Sequence, residues 1–158
     1  MTSLLIITPV EKLQEKINSV VKSFKNTYGI YVSLNKTQKS TESVLKKSGI
    51  NTKKLFFIDC VTDKNVEGIL HIPPDRLDLL SVAINSFIRC IKGDKFLIID
   101  SLATLLIYNS ENNVAKFAKE VTEYAAQKNV KVIAFSPKTQ GEELLNKIFN
   151  FFDKVEKK

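Results

Sequence analysis

Phe96-Leu97-Ile98-Ile99-Asp100-Ser101 (FLIIDS) is the stretch on which the reading of this chain turns. Four apolar residues in a row fit a strand buried on both faces, because a half-exposed strand would alternate with polar residues. Asp100 directly after them puts a carboxylate at the strand's carboxyl end, where open parallel sheets gather ligands. The same kind of run recurs upstream as Leu55–Asp59 (LFFID), Ile30–Leu34 (IYVSL) and Leu4–Thr8 (LLIIT), and downstream as Val130–Phe135 (VKVIAF). Ile69–Ile72 (ILHI) reads as a short extra strand, and Phe151–Val155 as a last edge strand.

Helical periodicity fills the intervals. Leu13, Ile17, Val20, Val21 and Phe24 share one face of a helix that follows Pro9 and runs to about Asn26. Thr37–Ser48 is a polar helix stopped by Gly49. Asp75 is placed to cap a helix reaching about Ile91, apolar on most sides and so either deeply buried or turned toward a partner. Glu111–Lys128 and Glu142–Phe149 complete the series. Strand–helix alternation of this kind predicts one α/β domain over residues 1–158. Its architecture is a three-layer αβα sandwich with a mostly parallel sheet of six to seven strands.

Composition narrows the function. The 158 residues are 44% hydrophobic, with only five glycines and four prolines, leaving little linker. No apolar run approaches the roughly 20 residues of a membrane span, and MTSLLIITPVEKLQ lacks the basic leader and cleavage site of a signal peptide. Cys60 and Cys90 lie in apolar surroundings and read as buried free thiols, which points to the cytoplasm. His71 is the only histidine, so Cys and His alone form no zinc tetrad, and no metal site is expected.

The net charge of +7 is uneven. Residues 1–58 hold ten Lys and three Glu, whereas residues 59–158 hold 14 basic and 14 acidic residues. The excess therefore sits on Lys12, Lys16, Lys22, Lys25, Lys36, Lys39, Lys46, Lys47, Lys53 and Lys54. Such a region serves a nucleic acid, an acidic partner or an anionic surface, or is a solvated face. Arg, the better bidentate reader of phosphate and bases, occurs only as Arg76 and Arg89.

Taken in order, IYVSL, LFFID, FLIIDSLATLL, VKVIAFS and FNFFDKV resemble the strands of the RecA-type domain of KaiC and archaeal RadA proteins, over nearly the whole chain. On that resemblance FLIID is the Walker B strand, with Asp100 and Ser101 as its remnant. The departures carry as much weight. Such ATPases follow the first strand with GxxxxGK[ST], whose backbone N–H groups and Lys cradle the phosphates. Here LLIIT runs straight into PVEKLQ: Pro9 removes a donor, Glu11 would repel a triphosphate, and no Gly is present. The acidic residues expected after the second strand are replaced by Asn35 and Lys36, neither of which is a base at neutral pH.

The resemblance thus implies an inactive ATPase homologue with no nucleotide or other cofactor and no catalytic residues. It would act through a protein partner, either another copy or an active ATPase of the same kind. The alternative is a nucleic-acid-binding accessory domain using the basic residues. Asp100 alone is a poor Mg²⁺ site and reads instead as a cap at the strand's end, with Ser101. No Ser/His/Asp constellation, acidic pair after the first strand or G-x-G-x-x-G supports another chemistry.

Overall fold

Each core strand alternates its side chains between two faces, and both faces are apolar, so the sheet must be covered twice. A computed structural model describes residues 2–63, 65–138 and 141–157. The elements run β1 (Ser3–Thr8), α1 (Val10–Ser23), β2 (Tyr28–Ser33), α2 (Gln38–Lys47), β3 (Leu55–Asp59), α3 (Leu77–Cys90), β4 (Lys95–Ile99), α4 (Glu111–Gln127), β5 (Lys131–Pro137), α5 (Glu142–Ile148) and β6 (Lys154–Lys157). Among the described residues the strands form one six-stranded sheet in the order β3-β2-β4-β5-β1-β6. Every pairing is parallel.

The two faces have separate cores. Ile6, Tyr31, Phe57, Phe96, Ile98, Ile133 and Phe135 face α1 and α2, which contribute Leu13, Ile17, Val21 and Leu45. Leu5, Ile7, Ile30, Val32, Ile58, Leu97, Ile99, Val132 and Ala134 face the other way. They meet Leu80, Ile84 and Ile88 of α3, with the inner faces of α4 and α5. Gly29 is needed for the first core: a Cβ there would lie 2.2 Å from Cζ of Phe96, whose ring rests on its backbone. Phe24 stacks on the same ring at 4.4 Å.

Several boundaries differ from the sequence reading. α1 stops at Ser23, and Asn26 takes a left-handed φ of 67° that turns the chain into β2. Arg76, not Asp75, stands at the N-cap of α3, without a side-chain cap. Residues 69–72 make only one bridge, Asp59 with His71, because Gly68 at φ 83° and Pro73 leave no room for a longer strand. The last strand begins at Lys154, after a 3₁₀ turn over Phe149–Phe151 that continues α5. Cys60 is buried, but Cys90 at the end of α3 is exposed, correcting the expectation of two buried thiols. α3 is buried on one stripe only, leaving Leu79 and Val82 exposed.

Candidate functional site

β2 and β4 are neighbours whose chains leave toward opposite helical layers, the arrangement in which open parallel sheets gather ligands at their carboxyl ends. Asp100 directly follows β4 at this end of the sheet and is only 2% exposed. One carboxylate oxygen, Oδ1, accepts the Leu34 backbone N–H at 2.7 Å, and Oδ2 accepts the Tyr31 hydroxyl at 3.3 Å. Burial pushes the Asp100 carboxyl up to about 7, against the pull of those hydrogen bonds and of Lys36. Tyr31 is raised well above its ordinary value by burial and by Asp100. Burial, with Asp100 and Asp59, pushes the Cys60 thiol up to about 12, so it is not a ready nucleophile.

Asp100 therefore ties β4 to the end of β2; it does not cap a turn of its own. Ser101 stands at the start of the 3₁₀ turn Leu102–Ile107 without a side-chain cap, its hydroxyl accepting a hydrogen bond from the Thr104 hydroxyl at 2.7 Å. Asp59, at the end of β3, is the second organising carboxylate. It accepts backbone N–H groups from Gln38 at 3.0 Å, Val61 at 2.7 Å and Thr62 at 2.8 Å. Burial raises its pKa, but the bonds from Gln38, Thr62 and Val61 outweigh that and hold it below the ordinary carboxylate range.

The approach from β1 is short. β1 ends at Thr8 and α1 starts at Val10, so Pro9 is the whole connection. Pro9 is the N-cap of α1, with its carbonyl accepting Lys12 N–H at 2.9 Å. Above Asp100, Lys36 reaches across to α1 and donates to Gln14 Oε1 at 2.9 Å. Neither Tyr31 nor Gln14 was a candidate from the sequence, because each is recruited by a partner far along the chain.

Six of these basic residues lie on α1 and α2 and the rest in the connecting turns, and they do not form one patch. Lys12 and Lys16 lie on the first two turns of α1, and Lys36 is held by Gln14. Lys39, Lys46 and Lys47 line an open groove beside α2 with Gln38, Glu42 and Ser43, and Lys46 sits 4.0 Å from Glu42. Lys22, Lys25 and Lys54 surround a separate cleft near the start of β3. Among the described residues no cluster of His, Cys, Asp and Glu is arranged to hold a metal ion, and no helix is long and apolar enough to cross a membrane.

No protein-family model and no curated protein matches the chain. Solved structures do. A KaiC-like protein of the hyperthermophilic archaeon Pyrococcus horikoshii is 12% identical, with a TM-score of 0.72 over 98% of this chain and 69% of that one. A second P. horikoshii protein is 13% identical, with a TM-score of 0.61 over 99% of this chain and 80% of its own. An uncharacterized P. horikoshii protein in complex with an unknown peptide is 12% identical, with a TM-score of 0.64 over 99% and 76%. Likeness at such low identity speaks to the backbone alone, and with the six-stranded parallel sheet clothed on both faces it gives this chain a RecA/KaiC-like fold.

Proposed function

We propose that the chain is a non-catalytic KaiC-like domain that works by protein–protein contact. The observation that carries this is the single-residue link between β1 and α1. A phosphate cradle needs a loop of several residues whose N–H groups converge on the anion. Pro9 supplies none, and it is the only residue there. Asp100 supports the same reading: it is buried, and both its oxygens are committed to Leu34 and Tyr31, away from any water-bound ion. The residues present do not fit a magnesium–triphosphate.

Contact with a protein is supported by apolar side chains left at the β3 edge and on α3. Tyr28 and Phe56 are exposed, with rings 6.0 Å apart, and Phe87 adds a third ring 5.6 Å from Phe56. Leu70 lies beside Phe56 and Phe87, and Leu79 and Val82, the latter 60% exposed, leave further apolar surface on α3. The partner class is a second copy or an intact ATPase of the same fold. Calorimetric titration with ATP and Mg²⁺ tests the first half of the proposal, and micromolar binding would sink it. Capture of a partner by the wild type, lost in Phe56→Lys/Val82→Lys, tests the second.

The lysine-rich layer favours a second reading, nucleic-acid binding. That reading requires an affinity that falls steeply as salt rises. Failure to bind DNA or RNA at low salt ends it.

A further inference from the structure

The last turn of α1, the turn after α2 and the starts of β3 and β4 enclose a cleft of about 390 Å³ at the amino end of the sheet. It lies at the opposite end from Asp100. Its floor is apolar: Val21, Phe24, Ile50, Leu55 and Phe96. Its rim carries Lys22, Lys25 and Lys54, and no acidic residue lines it. Lys131 adds a further ammonium 5.9 Å from the Phe24 ring.

We propose that this cleft binds a small organic anion: a carboxylate, sulfonate or phosphate monoester carried on an aromatic or alkyl body. Three features of the cleft argue for it. Its volume falls within the range of about 300–1,000 Å³ typical of small-molecule sites. Lys54 makes only a long 3.4 Å bond to the Asn26 carbonyl, and the helix ends beside Lys22 and Lys25 have their own carbonyls already taken. At the end of α1 the carbonyls of Val21, Lys22 and Phe24 already accept Phe24, Lys25 and Thr27 N–H. At the end of α2 those of Val44, Leu45 and Lys46 accept Ser48, Gly49 and Ile50 N–H. The wall is also preorganised, since Phe96 is fixed between the Gly29 backbone and the Phe24 ring. An apolar body would cover the floor while its anionic group meets the lysines. A bare inorganic ion would leave the floor wet.

The probe is 8-anilinonaphthalene-1-sulfonate, whose fluorescence rises on entering an apolar site. Saturable one-site binding to the native protein is expected. K22E/K25E/K54E should weaken it by about tenfold or more, whereas K12E/K16E/K39E, with the same change in net charge, should leave it within about twofold. Inorganic phosphate should displace the dye no better than chloride at equal ionic strength. Amide chemical-shift changes in the wild type should centre on Phe24, Ile50 and Leu55. Equal weakening by both triple variants, efficient displacement by phosphate, or shift changes centred elsewhere would each overturn the proposal.

Discussion

Asp100→Asn should make the protein more stable at neutral and alkaline pH, and the gain should vanish in acid. The carboxyl lies at about 7 in the folded chain against an ordinary 3.8, chiefly because burial penalises its charged form. Between those values the folded state holds a proton that the unfolded state has released. Stability therefore falls as pH rises through that window, and the cost is complete above about pH 7. A rise of this size, at 1.36 kcal/mol per tenfold change in acidity, is worth about 4 kcal/mol. The amide is nearly isosteric: its oxygen still accepts Leu34 N–H, and its NH₂ group donates to the Tyr31 oxygen. Asp59 and Asp153 titrate with the opposite sign, each held below the ordinary range, but they are common to both proteins and cancel in the difference. Urea unfolding followed by far-ultraviolet circular dichroism, from about pH 4 to about pH 8 at fixed ionic strength, gives that difference directly. It should be near zero at the acid end and climb to a plateau of several kcal/mol in favour of the amide. A difference that is flat with pH, or a variant less stable at about pH 8, would refute the account of a carboxylate charged at a cost.

Gly29→Ala should cost about 1–3 kcal/mol by overpacking, since its methyl would lie within 2.6 Å of three Phe96 ring atoms. Chemical denaturation measures it, and a smaller loss in a Phe96→Val background would show that the clash is the cause. Thr37→Ala should cost about 1 kcal/mol, because the Thr37 hydroxyl caps α2 by accepting Ser40 N–H at 3.2 Å. A thermal midpoint lowered by roughly 2–4 °C is the expected readout.

The fold was largely legible because buried parallel strands leave unbroken apolar runs. Leu55–Asp59 was read to the residue, and α4 to within one. Errors gathered where the decision is conformational and not compositional. Asp75 has the chemistry of a cap, but the backbone bends one residue later, at Arg76. ILHI has the composition of a strand but offers only His71 as a bridge. The candidate site was legible only in part. Pro9 could be read as a missing loop because its neighbours in sequence are its neighbours in space. The ties of Asp100 to Tyr31 and Leu34 span 69 and 66 residues, so its role could not be seen locally. The cleft draws Lys22, Ile50, Lys54 and Phe96 from four separate segments, and its existence depends on how α1 and β3 meet.

The lopsided charge acquires a direction once folded. Of the ten lysines of residues 1–58, six lie on α1 and α2, and Lys22, Lys25 and Lys54 ring the cleft at the amino end of the sheet; residues 59–158 are balanced in charge. The molecule is thus a plate whose excess positive charge is gathered, in separate groups of lysines, on the α1/α2 layer and the adjoining amino end of the sheet. Two such plates repel when stacked with those surfaces together, at distances up to the Debye length of about 8 Å in physiological salt. Self-association is therefore steered to the edges or the neutral surface, and a polyanion meeting the plate is steered to the cationic one.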